Sequence, residues 1–397
     1  MSCLDQPVLF DPFAERYHQD PYPAYAAMRE EQPVCHQPEL DFWFVSRYDD
    51  VSTVVNDWET FTVELGEDID DGASLGGHDG NLVENDPPRH RALRRVVQGH
   101  WTPTSLAARL SGAIDAEVAR LVDDVRAADG RVDLGSPTAS RLPVAVISEF
   151  LGVEEADRGE LVRLQMELIE RDPGVATLPP RAIEAAARQR EYFAAQLASR
   201  RRRPGDDLLT LLVQAEQART IQPAETLGLA HELFSAAIDT TASLLTNMFM
   251  LLATHPDQQD LIRADPSRVD GAVEEILRFE SPIQNAKRTT TCGTTLADAA
   301  IPAGATVVPL FGSANRDDRR FERADVFDVR REPQRNLAFG AGIHHCLGAP
   351  LARLEARKLL GAVVQELPPF ELAGEPVRFP NYVLRGMSSV PLVFGGA

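Results

Sequence analysis

The segment Phe339 to Gly348 reads FGAGIHHCLG, and its single cysteine is the residue best placed to do chemistry. Gly340 and Gly342 flank Ala341, so the backbone there can turn tightly and approach a flat partner closely. Cys346 stands just before a helix that the pattern starts near Ala349-Pro350, with Leu351, Leu354, Leu359, Leu360, Val363 and Val364 on its apolar face. The N-terminal end of a helix favours thiolate over thiol, and a thiolate is a strong metal ligand. The other cysteines, Cys3, Cys35 and Cys292, lack CxxC spacing, so neither a zinc site nor a disulfide framework is predicted.

Three further groups have chemically useful spacing. Glu275 and Arg278 are three residues apart and so share a helical face; read alone, they form an exposed ion pair worth ~0.3–0.5 kcal/mol. Asp239 and Thr240 lie in the run from Ala236 to Thr241, midway along a helix predicted from Pro223 to about His255-Pro256 and ~50 Å long. The small side chains leave space there, and the Thr240 hydroxyl can turn to the carbonyl of Ala236, loosening the helix locally. His90 and Arg94, four apart, face one way on a third helix.

The elements that must hold these groups are mostly helical. Asp41 to Tyr48 is predicted as a strand with a helical pattern following from Asp50, and Thr104 to Ala253 as several helices broken by prolines. Asp265-Pro266-Ser267 starts another helix that ends near Ser281-Pro282, and Thr289 to Leu310 holds short antiparallel strands. Glu64 to Glu84 mixes acids with glycines, which predicts a mobile, solvated acidic loop; the alternative is an active-site lid. Mainly α with small β-sheets, folded as one unit, fits the chain better than separable domains.

Composition excludes several function classes. Forty Lys and Arg against sixty Asp and Glu give a net charge of −20, which repels phosphate backbones and anionic lipid, so no nucleic-acid partner is expected. No apolar stretch approaches the ~18 residues of a membrane span, the best being Leu244 to Ala253, interrupted by Thr246 and Asn247. The N-terminal residues lack the pattern of a signal peptide, and the expected location is cytoplasmic.

FGAGIHHCLG, followed by Ala352-Arg353-Leu354-Glu355, closely resembles the haem-binding signature of the cytochrome P-450 monooxygenases. Other family signatures occur in order: Asp86-Pro87-Pro88-Arg89-His90 through Arg94-Arg95, the small-residue, acid and threonine segment around Asp239, and ExxR at Glu275 and Arg278. The resemblance implies the cytochrome P-450 fold as a single haem domain over residues 1–397, with a long central helix over the haem. It implies heme b as cofactor, with Cys346 as axial ligand and metal ligand. His90, Arg94, Arg288 and His344 then take the propionates, while Ala236, Phe339, Gly340 and Gly348 complete the cofactor site. Glu275, Arg278 and Arg331 form a structural cluster.

By the same resemblance Asp239 and Thr240 are catalytic, as members of a proton path to bound dioxygen. The implied activity inserts one oxygen atom from dioxygen into a small, largely apolar organic substrate, the other atom becoming water. Its electrons are expected from outside the chain, because no flavin or iron–sulfur motif is found in the sequence, and the resemblance to bacterial-type members implies a ferredoxin and ferredoxin reductase as their source. The protein is expected to be a monomer. Leu82, Val83, Phe234, Ser235, Ile238 and Ile283 are the expected substrate contacts, with Gln284 as a further polar anchor. Arg94, Arg95, Arg353 and Arg357 are expected to form a positive docking face. A peroxide-driven haem-thiolate oxygenase and a catalytically silent haem protein are the rivals; the Asp239-Thr240 pair weighs against both. Three positions depart from the family pattern: Ala237 replaces a common glycine, Ala92 a common arginine and Asn336 a frequent histidine.

Overall fold

The computed structural model describes residues 10–70, 79–172 and 174–395. Its organising element is the central helix, Pro223–Thr254, 32 residues long. Pro223 occupies its first turn, where a missing N–H costs nothing, and Gln222 and Glu225 close a capping box on its first backbone donors. Length and composition would let this helix cross a membrane, contrary to the expectation from the Leu244 to Ala253 stretch alone, yet 83% of its apolar window is buried inside the protein. It is a core helix. Leu229, Leu244, Leu245, Met248 and Leu252 are all buried, and the helices Pro103–Ala127, Arg141–Leu151 and Ala349–Glu366 pack with it in one hydrophobic cluster.

A five-stranded sheet lies to one side, in the order Val34–Gln37, Phe42–Val45, Thr306–Pro309, Arg288–Thr290, Phe61–Thr62. Thr306–Pro309 pairs antiparallel with Arg288–Thr290, as expected, but parallel with Phe42–Val45. A parallel pair needs a long crossover, and the whole helical body supplies it between Val45 and Thr306. Register places Arg288 opposite Val307.

The helix Val269–Phe279 carries Glu275 and Arg278, which are 3% and 2% exposed, so the surface ion-pair alternative is wrong. Arg278 Nε and Nη2 donate to the two Glu275 carboxylate oxygens at 2.7 and 2.8 Å, and Arg331 Nε donates to the same carboxylate at 3.0 Å.

The acidic segment is also corrected. Asp71 to His78, including Gly72, Gly76 and Gly77, lie outside the described residues; on either side Glu64, Leu65 and Asp79 are exposed, but much of the rest is not solvated. Asp70 and Glu84 are buried, and Glu67 and Asp68 turn inward to line a cavity. Asp79 and Gly80 lie against the central helix so closely that a Cβ on Gly228 would fall 1.9 Å from the Asp79 carbonyl oxygen. Burial is possible because Glu232 of that helix accepts hydrogen bonds from the backbone N–H groups of Leu82 and Val83 at 2.6 and 3.3 Å.

Candidate active site

Cys346 opens onto a cavity of about 340 Å³ between the central helix and the segment before Ala349–Glu366. Cys346 is exposed, and it forms part of the cavity wall. Desolvation by the surrounding protein pushes the thiol up, whereas the backbone N–H groups of Gly348 and Ala349, with Arg94 and Arg353 beyond them, favour the thiolate. The turn leading to it depends on glycine. Gly342 has φ +67°, and a Cβ there would meet the Val55 carbonyl oxygen at 2.7 Å. The Cys346 N–H donates to the Phe339 carbonyl at 3.0 Å, which holds the sulfur toward the cavity.

One wall of the cavity is basic. His90, Arg94, Arg288 and His344 all line it, drawn from a helix, a strand and the cysteine segment. Both ring nitrogens of His90, Nδ1 of His344 and Nε1 of Trp101 are buried without a hydrogen-bond partner. Each such orphan costs about 1–3 kcal/mol unless a ligand satisfies it, and the donors among them, the Trp101 N–H and the one N–H of a neutral His90, point to a ligand with acceptor groups. His90 is lowered to about 4, by burial first and then by His344 and Arg94. His344 Nε2 lies 3.2 Å from Asp86 Oδ1, and Asp86 is in turn held by the Val63 N–H. Arg94 is anchored by donating to the carbonyls of Ile343 and His345 at 3.1 and 2.7 Å.

The facing wall is the central helix. Leu233, Ala236, Ala237, Thr240, Thr241 and Leu244 line the cavity, the spacing of a single helical stripe. Thr240 Oγ1 donates to the Ala236 carbonyl at 2.8 Å, as the sequence allows.

Comparison with known proteins decides what this arrangement is. Cytochrome P450 monooxygenase PikC of Streptomyces venezuelae is 38% identical over 392 residues, covering 94% of this chain and 91% of that protein. The 6-deoxyerythronolide B hydroxylase of Saccharopolyspora erythraea is 34% identical, covering 96% and 98%. The chain belongs to the cytochrome P450 family. The family model for cytochrome P450 matches residues 183–376. Among solved structures, CYP109E1 of Bacillus megaterium in complex with testosterone superposes with a TM-score of 0.87 at 27% identity, covering 96% of this chain and 99% of that one. A mutant of P450 EryK in complex with erythromycin B gives 0.86 at 33%, covering 97% and 98%.

P450 enzymes bind heme b through a cysteine thiolate, and the cavity fits that group. A flat dianion needs a thiolate face, a glycine-lined approach and buried cationic or N–H donors at one edge; Cys346, Gly340 with Gly348, and the His90, Arg94, Arg288 and His344 wall offer each. Phe339 lies on the same surface, under the Arg353 guanidinium at 4.4 Å. Ala236, across the cavity, presents only a methyl group to it.

Of the expected substrate contacts, Leu82, Val83 and Ile283 line the cavity. Phe234, Ser235 and Ile238 do not: they lie off the cavity stripe, with Phe234 against Phe193 at 5.3 Å and Ser235 accepting from Gln165 at 2.9 Å. Gln284 also turns away and donates to the Ser281 carbonyl. Asp239 is buried on the stripe's far side, where Gln165 donates to it. The polar cavity residues that were missed include Glu67, Asp68, Trp101 and Glu232. Burial raises Glu67 to about 8 and Asp68 to about 6, each further raised by an acidic neighbour, and raises Glu232 to about 8. Glu232 was findable, being one turn before Ala236; the other three carry no local signal. The docking face is also thinner than expected. Arg353 pairs with Glu274 at 2.6 Å and Arg357 with Asp270 at 3.3 Å, leaving Arg95 exposed and Arg94 committed to backbone carbonyls.

Proposed function

We propose that this P450 hydroxylates a largely apolar, natural-product-sized organic molecule, using dioxygen and two electrons from a ferredoxin and its reductase, as one haem domain over residues 1–397. The observation that carries this reading is the opposition across one cavity of Cys346 and the Ala236 to Thr240 stripe, with Leu82, Val83, Ile283 and Val383 beside them. Relatives named for 6-deoxyerythronolide B hydroxylation and structures holding testosterone or erythromycin B support a substrate of that size and polarity. The haem supplies the oxidation chemistry when bound. The chain binds and orients the substrate against an apolar wall, excludes water, and delivers protons from the Asp239-Thr240 segment.

Titrating candidate ligands and reading the haem absorption is the direct test. A substrate is expected to shift the haem spectrum and then to make consumption of reduced ferredoxin substrate-dependent; ligands that all shift the spectrum without accelerating electron use would contradict the reading. For Thr240→Ala, electron use is expected to continue while product per electron falls at least about tenfold and peroxide rises, since positioned proton transfer contributes ~10²–10⁴-fold. Unchanged product-to-peroxide ratio would remove Thr240 from the proton path.

A further inference from the structure

Asp239 does not sit in the cavity wall, so something on its other side holds it. His231, Ser235 and Asp239 are four residues apart along the central helix and share the face that meets the helices Glu155–Ile169 and Pro180–Arg202. From that side Gln165 Nε2 donates to Asp239 Oδ2, and also to Ser235 Oγ at 2.9 Å. Gln189 Nε2 donates to Gln165 Oε1 at 2.9 Å, and His231 Nε2 lies 3.0 Å from Gln189 Oε1. Gln165 and Gln189 are fully buried, and His231 is 4% exposed.

We propose that Gln165 is a positioning residue for Asp239, and that Gln189 and His231 fix the direction of its amide so that a donor always faces the carboxyl. An amide can present oxygen or nitrogen, and only its surroundings choose. His231 decides here. With the proton on Nε2 it donates to Gln189 Oε1; Gln189 must then offer Nε2 to Gln165 Oε1, and Gln165 is left offering Nε2 to Asp239. Reversing the chain would put an amide oxygen against the carboxyl, which only a protonated Asp239 could satisfy, by donating its O–H. Burial keeps His231 neutral, as the chain requires, lowering it to about 4 with Arg190 adding to the effect. Burial raises Asp239 to about 7 and Gln165 alone opposes that rise; no charged group on any packed element shifts it among the described residues. The inference deepens the proton-delivery reading of Asp239, because a carboxyl held near neutrality can both give and regain a proton.

The test titrates Asp239 without turnover, so it can fail while that reading stands. Melting temperature of the haem-loaded protein is followed from pH 4 to 9 against Asp239→Asn, which cancels other titrating groups. Asp239 holds its proton in the folded state to about 7 and in the unfolded chain only to ~3.9, so its contribution falls as pH rises across that interval and then levels. With Gln165→Met the fall is expected to extend upward by about one pH unit, one donor's share when two or three lower a carboxyl by about two. In the Asp239→Asn background the same substitution should leave the profile flat. A uniform loss of melting temperature at all pH, or a pH-dependent effect that survives in Asp239→Asn, would overturn the proposal. If Gln165→Met is too unstable to titrate, Gln189→Met, which frees the amide to reverse, is expected to move the same limb upward; no movement would overturn it.

Discussion

Replacing Cys346 by serine is expected to abolish the thiolate-type absorption of the reduced carbon monoxide complex and to reduce monooxygenase turnover more than about 100-fold, beyond the ~10–100-fold cost of losing an outer-shell partner. The hydroxyl is nearly isosteric, so the fold should persist; the change is electronic. Thiolate donates electron density through iron and favours cleavage of the O–O bond, and a neutral serine oxygen does not. The backbone N–H groups of Gly348 and Ala349 are aimed at the sulfur and would remain, which makes the substitution a clean test of the ligand atom. A variant that keeps the spectrum would show that another residue holds the iron.

Glu275→Ala is expected to yield little folded, haem-loaded protein. Glu275 accepts four hydrogen bonds: two from Arg278, one from Arg331 and one from the Asp328 backbone N–H at 3.0 Å. Both arginines reach further, Arg278 to the carbonyls of Asn315 and Ala324 and Arg331 to those of Glu322 and Arg323. Removing the carboxylate leaves two guanidinium groups facing each other with no anion between them. Breaking a buried pair costs about 3–5 kcal/mol, against a total stability of ~5–15 kcal/mol. Glu275→Gln should be milder, since it keeps one acceptor and the side-chain volume. Denaturant midpoints and haem content of the purified proteins report both; a midpoint for Glu275→Ala within about 1 kcal/mol of the unaltered protein would place the cluster among surface pairs of little worth.

The site was legible in the sequence where chemistry depends on local spacing. Cys346 with its glycines, Glu275 with Arg278, and His90 with Arg94 each need only a loop or one helical turn to come together, and the structure brings them together. What failed depended on helical phase. Residues two apart on a helix point about 200° from one another, so Thr240 on the cavity side carries Ala237, Ala236 and Leu233 with it and turns Ile238 away. Counting back from Thr240 would have rejected Ile238 as a contact and put Phe234 outside the stripe. Glu67 and Asp68 were illegible for a different reason: an acidic, glycine-rich run normally stays in water, and the inward packing of its described flanks rests on contacts distant in sequence, Asp79 and Gly80 against Gly228 and the Leu82 and Val83 N–H groups on Glu232. The parallel pairing of Thr306–Pro309 with Phe42–Val45 joins residues more than two hundred positions apart and left no trace in either strand.

Iron K-edge X-ray absorption of the purified, haem-loaded protein tests the central claim most directly. A sulfur scatterer in the iron's first coordination shell, lost in Cys346→Ser, is the predicted result. A shell of nitrogen and oxygen alone in the unaltered protein, or a sulfur signal that survives the substitution, would contradict it.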